Sequence, residues 1–216
     1  MTSIIPSILV PNKKVFLTNY TGLGDSVSMI QLDIADGKFV PNATWADPKT
    51  VSEVVTTDIE LHLMVNDPIA EMKKWFFVPH VKRVLVHFEG PHDIAETIQK
   101  AKQTEWEVGL VLNPGTPTTV IGDFVNDIDI IMFMGVYPGF QGQEFIPETC
   151  NRIAETKAKG IAQPISVDGG VNEKTIPTLI KAGVDIICPG SAVFGNDKTP
   201  AENVLALQRL IAEVSA

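Results

Sequence analysis

Eight short apolar runs recur along the chain at roughly even spacing, at residues 4–9, 28–33, 59–64, 83–87, 107–112, 130–134, 164–168 and 184–188. Most are nearly all apolar, as parallel strands covered on both faces require. Helix-like segments separate them. Asp67-Pro68 opens one, with Asp as N-cap and Pro at the first helical position, and Ile69, Met72, Trp75 and Phe76 form its apolar stripe. Pro91-His92-Asp93 opens a second, and Asn172-Glu173-Lys174 opens a third that stops at Ala182-Gly183. Residues 200–214 form a terminal helix, with Val204, Leu205, Leu207, Leu210, Ile211 and Val214 at helical spacing. Such alternation means parallel βα units. An open flavodoxin-like sheet uses about five or six strands, so eight units favour a closed (β/α)8 TIM barrel. The chain has 216 residues, within the ~200–250 that such a barrel occupies. No low-complexity linker divides it, so residues 1–216 are expected to form a single (β/α)8 barrel domain.

In such a barrel the residues just past the strand ends converge on one mouth. Two runs stop on an aspartate, Asp33 and Asp168. Alone, each fits a helix N-cap or a turn. Placed on different strands of one mouth, they can face each other across a bound molecule, remove a proton from one side of a carbon and return it on the other. Gly169-Gly170 follows the second aspartate, and Gly190-Ser191 follows one unit later. Glycine turns of this kind let backbone N–H groups approach a phosphate.

The formal net charge is -9. That balance argues against nucleic acid or an anionic membrane as the main partner, because both reward basic patches. It leaves a phosphorylated substrate open, since backbone dipoles bind phosphate locally. Cys150 and Cys188 are the two cysteines, with neither a disulfide framework nor a CxxC metal site. The N-terminus lacks the basic and long apolar regions of a signal peptide, and no apolar run approaches the ~20 residues of a membrane span. The expectation is a soluble, cytoplasmic protein, with assembly into a homo-oligomer left open.

The strand ends carry longer motifs: DxxDGxFVPN from Asp33 to Asn42, HLMVxDP from His62 to Pro68, LNPGTP from Leu112 to Pro117, PGFxGQxFI from Pro138 to Ile146, then VDGGV and GSAVF. In these the chain resembles the ribulose-phosphate 3-epimerase family nearly end to end. The resemblance implies a (β/α)8 barrel interconverting D-ribulose 5-phosphate and D-xylulose 5-phosphate. It also implies two aspartates as the acid/base pair and a divalent metal ion, often zinc or iron, held by two histidines and those aspartates. Asp33 and Asp168 match the catalytic pair. His62 matches a metal ligand and, at a strand end beside them, is expected to meet the substrate too. Met64 and Met134 match methionines lining the reactive centre, although both also suit barrel filling. Ser7 matches a substrate-contacting serine. Gly139, Phe140, Gln141, Gly142, Gly169, Gly170, Gly190 and Ser191 follow strands six to eight, where barrels commonly bind phosphate. His87 reads as a packed or supporting group, and His80 and His92 as loop or surface residues.

The chain departs from the family pattern at four places. The strand-two motif, usually HxDxMDG, has Gln31 for its histidine and Ala35 for its methionine. Val10-Pro11-Asn12 replaces the usual end of SILSAD, and Gly135 stands where Ser or Thr is usual. One imidazole ligand is therefore absent. The expected ligand set is Asp33, His62 and Asp168, with Gln31 near enough to coordinate by its amide oxygen, a harder donor than imidazole that favours Mn²⁺ or Mg²⁺ over Zn²⁺ or Fe²⁺.

Three alternatives stand beside a pentulose-phosphate epimerase. The first is epimerisation of another ketose phosphate, such as allulose 6-phosphate, on the same site. The second is a lyase, which would need a lysine that none of the strand ends supplies. The third is a sugar-phosphate binder that has lost its metal.

Overall fold

The computed structural model describes residues 2–215. Its strands are β1 (Ser3–Ile4), β2 (Ser7–Ile8), β3 (Met29–Ala35), β4 (Asp58–Met64), β5 (Val81–His87), β6 (Glu107–Leu112), β7 (Ile130–Met134), β8 (Ile165–Asp168) and β9 (Ile186–Cys188). Every neighbouring pair is parallel. Helices α1 (Lys13–Leu23), α2 (Pro48–Val54), α3 (Pro68–Trp75), α4 (Ile94–Ala101), α5 (Glu148–Ala158), α6 (Ile176–Ala182), α7 (Ser191–Phe194) and α8 (Pro200–Ser215) fill the connections. A six-residue 3₁₀ helix, Thr118–Asp123, replaces the helix after β6.

The first strand corrects the expectation of one continuous run over residues 4–9. It is split at Ile5-Pro6, because Pro6 has no N–H to donate to a ladder, and its two parts face different neighbours. β1 pairs with β9, Ser3 beside Ile186. β2 pairs with β3, Ser7 beside Gln31. Between them the Ile5 N–H donates to the Ile187 carbonyl at 3.0 Å, and the Gln31 N–H donates to the Pro6 carbonyl at 2.9 Å. Both ends of the sheet thus meet on one extended segment, and the barrel closes.

The helix signals act as their chemistry dictates. Asp67 caps α3 by accepting from the Ala70 N–H at 2.9 Å, and Asp93 caps α4 by accepting from the Glu96 N–H at 3.1 Å. Gly183 ends α6 in the left-handed region, φ 96°, which glycine adopts without a side-chain clash. α6 begins later than its sequence signal, at Ile176, because Asn172–Thr175 forms a hydrogen-bonded turn first.

Strand residues alternate between two faces. Ile30, Leu32, Ile34, Ile59, Leu61 and Leu63 join the large cluster between sheet and helices. The other face lines the barrel interior, where a second cluster contains Ile5, Leu85, Val111, Met132, Met134 and Cys188. Gln31, Asp33, Glu60, His62, His87, Ser166 and Asp168, all buried, share that interior face. Burying so many polar groups is tolerable only when they are paired. At one level Glu60 pairs with Arg83 at 2.6 Å. At another lies the cluster described next.

Candidate active site

Two residues apart on β3, Gln31 and Asp33 point the same way, into the barrel. Parallel register sets His62 of β4 beside Asp33, and Asp168 ends β8. The four side chains meet. The Gln31 Nε2 group donates to Asp33 Oδ1 at 2.8 Å and to Asp168 Oδ2 at 3.0 Å, and lies 3.2 Å from His62 Nδ1. His62 Nδ1 in turn lies 2.9 Å from Asp33 Oδ1 and 3.4 Å from Asp168 Oδ2.

Their electrostatics follow from burial and proximity. Burial and then the charge of Asp168 push the Asp33 pKa up, against hydrogen bonds from His62 and Gln31. For His62, burial opposes a charge, but the hydrogen bonds to Asp168 and Asp33 outweigh it and raise its pKa to about 10.

Beside this cluster, on β5 and just past its end, lies a row of groups that the motifs did not reveal. His62 Nε2 is 2.9 Å from His87 Nε2, and His87 Nδ1 is 3.6 Å from Glu89 Oε2. Glu89 is held in turn by the Asn113 N–H, at 2.7 Å, and the Thr116 hydroxyl. Burial, with the charge of His62 adding, lowers the His87 pKa to about 4 despite Glu89. His87 is therefore a neutral supporting group, as expected. Glu89 went unassigned in the sequence; the spacing His87-Phe88-Glu89, with both ends facing alike, is the signal that points to it.

Above the cluster opens a small pocket at the barrel mouth. It brings together Ser7, Asp33, Met64, Met134, Asp168 and all eight of the residues expected after strands six to eight, from Gly139 to Ser191. Leu9, Val136, Pro138, Gln143 and Val171 line it as well. Gln31 and His62 do not line it. Both are fully buried under its floor, so they touch the pocket only through the two aspartates.

Two glycines are fixed by close approach. A Cβ on Gly190 would lie 2.7 Å from Gln141 Nε2 and 2.9 Å from Ser7 Oγ. A Cβ on Gly135 would run into the Gly169 carbonyl and the Phe145 ring. That contact accounts for glycine where the family pattern has Ser or Thr.

The donor set suits a divalent cation. Among the described residues, Asp33, His62 and Asp168 form the one cluster of three such groups, with ligand atoms within 4.8 Å of one another. For His62 Nδ1 to present a lone pair the ring proton must sit on Nε2, and His87 Nε2 is placed to accept it.

Fold and site together define a closed (β/α)8 barrel with a buried carboxylate–histidine–carboxylate centre under its mouth. The model of the Ribulose-phosphate 3 epimerase family matches residues 3–194. The chain belongs to the ribulose-phosphate 3-epimerase family. It is 33% identical to the ribulose-phosphate 3-epimerase of Bacillus subtilis over 210 residues, covering 90% of this chain and 93% of that one. It is 32% identical to that of Mycobacterium tuberculosis, covering 95% and 91%. Among solved structures, KGPDC from Streptococcus mutans gives a TM-score of 0.77 at 13% identity, covering 100% and 99%. A 3-hexulose-6-phosphate synthase gives 0.72 at 18%, covering 98% and 100%. At such identities these two likenesses concern the fold alone. No helix among the described residues is long and apolar enough to cross a membrane.

Proposed function

We propose that the chain is a ribulose-phosphate 3-epimerase, interconverting D-ribulose 5-phosphate and D-xylulose 5-phosphate by proton transfer at C3. One observation carries this reading: Asp33 and Asp168, from different strands, line one pocket and share the donor Gln31 Nε2.

Epimerisation needs one ionised carboxylate to take the C3 proton and one protonated carboxyl to return a proton to the opposite face. The two groups exchange roles in the reverse direction. The raised pKa of Asp33 suits it to carry the waiting proton. Deprotonation beside the ketone builds negative charge on the enediolate oxygens. A divalent cation held by Asp33, His62 and Asp168 would supply the electrophilic stabilisation there.

Met64 and Met134 give the centre an apolar wall. Pro138, Phe140 and Gln143 belong to the segment over the mouth, which Gln143 braces by donating to the Tyr137 and Phe140 carbonyls at 2.7 and 2.9 Å. The backbone N–H groups near Gly142, Gly170, Gly190 and Ser191 bind the phosphate.

The test is turnover of D-ribulose 5-phosphate in deuterated water, followed at C3. Interconversion with deuterium entering at C3 is expected. Ligand binding with no exchange at C3 overturns the reading, and faster turnover of a six-carbon ketose phosphate reassigns the substrate.

A further inference from the structure

We propose that the Gln31 amide is a two-position gate on the cation site. In the structure its NH₂ bridges Asp33 and Asp168, and a cation held there would turn the amide over so that Oε1 serves as a fourth ligand. The inference rests on the cation reading above and concerns the residue at which this chain departs from the family pattern.

Three observations support it. First, the inward-pointing atom of Gln31 already occupies a corner of a coordination shell. It lies 2.8 Å from Asp33 Oδ1, 3.0 Å from Asp168 Oδ2 and 3.2 Å from His62 Nδ1. The other two measured edges, from His62 Nδ1 to each aspartate, are 2.9 and 3.4 Å. Ligands at ~2.0–2.2 Å from one ion are spaced ~3.0 Å apart at right angles and ~3.4 Å apart at tetrahedral angles. These five edges have the spacing of ligands in one shell.

Second, the atom at that corner is a donor. A carbonyl oxygen there would face two carboxylates and gain nothing, whereas an NH₂ satisfies both. A cation at the centre reverses this preference, because it attracts the oxygen and repels the N–H groups.

Third, Oε1 is buried with no hydrogen-bond partner. Nothing on its side holds the amide in one orientation, so the contents of the cluster decide. Turning exchanges atoms of almost equal size and leaves the packed Gln31 stem in place. It also forfeits two hydrogen bonds to carboxylates, which weakens cation binding relative to a histidine at this position.

The test uses protein stripped by chelator and titrated calorimetrically with Mn²⁺ and Zn²⁺, with the Gln31 side-chain amide followed by ¹⁵N NMR. Diamagnetic Zn²⁺ should shift the Gln31 NH₂ signals away from their carboxylate-bonded positions. Gln31→Met, which keeps length but removes the oxygen, should weaken Mn²⁺ binding at least about tenfold, and Gln31→His should tighten Zn²⁺ at least about tenfold, the scale of changes at and around metal ligands. Mn²⁺ affinity in Gln31→Met within about twofold of the native protein, with native NH₂ shifts unchanged on loading, overturns the gate while leaving the cation reading standing. No cation binding by the native protein or by Gln31→His overturns both.

Discussion

His62 and His87 meet edge to edge, Nε2 to Nε2 at 2.9 Å, with their ring planes only 22° apart. One ring must donate and the other accept. The carboxylates raise the pKa of His62, and burial keeps His87 neutral. The proton therefore sits on His62, and His87 turns its own N–H toward Glu89. The charge of Glu89, 3.6 Å from His87 Nδ1, favours the proton on that nitrogen and leaves His87 Nε2 free to accept from His62.

Removing that carboxylate's charge should reach the active centre indirectly. In Glu89→Gln we expect cation affinity and kcat each to fall about tenfold, with KM nearly unchanged, as for loss of an outer group that orients a ligand. Calorimetry and steady-state kinetics check this. A change in KM alone would show that Glu89 shapes only the substrate pocket.

Substituting either aspartate by asparagine removes a proposed acid/base group and keeps its shape. Asp33→Asn and Asp168→Asn should each slow interconversion at least about 100-fold. Exchange at C3 against deuterated water separates their roles. Each variant should lose exchange from one epimer more than from the other, because each aspartate serves one face. Near-native turnover in either variant removes it from the mechanism.

The histidine pair also sets a pH dependence in cation-free protein. The folded pKa of His62, about 10, lies above the ~6.5 of a free histidine. Its stabilisation is complete below about pH 6.5 and is lost as pH rises through about 10. Chemical unfolding should therefore show stability declining between about pH 7 and 10, and His62→Gln should lack that decline. His87 acts oppositely. Its folded pKa, about 4, is below the ~6.5 free value, so it withdraws stability as pH falls from about 6.5 toward 4.

Gly190→Ala places a methyl group against Gln141 and Ser7. Because both line the pocket and neither belongs to the proposed acid/base pair, KM should rise on the order of tenfold while kcat changes little, the pattern left by loss of uniform binding. Gly135→Ser meets backbone as well as the Phe145 ring, so thermal unfolding should report a destabilisation of about 1–3 kcal/mol from overpacking.

The strands inside the barrel were legible because each pairs over nearly all its length. β6 and β7 match the expected runs at both ends. β3 continues two residues past Asp33 to Ala35 because β4 supplies partners as far as Met64, information that lies outside the run itself. The break at Ile5-Pro6 depends on which two strands flank it, and residues so distant give no local signal. At the site, the aspartates and glycines stood out because they end or follow the apolar runs of the sequence. The positions of Gln31 and His62 under the floor depend on their depth in the barrel, which register sets and spacing does not. Gln31 was expected near the cation ligands with its amide oxygen toward them; the structure places it beside Asp33 and Asp168 but turns Nε2 to them, an orientation the surrounding carboxylates favour.

The split first strand has a consequence for the order of events in synthesis. Residues 3–8 leave the ribosome long before residues 186–188, yet Ser3 and Ile4 pair with Ile186 and Ile187. At ~5–20 residues per second the partner strand follows ~10–40 s later. Until then the leading segment has a neighbour on one side only, at β3, and its other edge stays open. Nascent chains stalled before β9 should therefore leave the first ten residues open to proteolysis, with protection arriving only once β9 has emerged. The pocket, which takes both Ser7 and Ser191, cannot be finished until residue 191 has emerged.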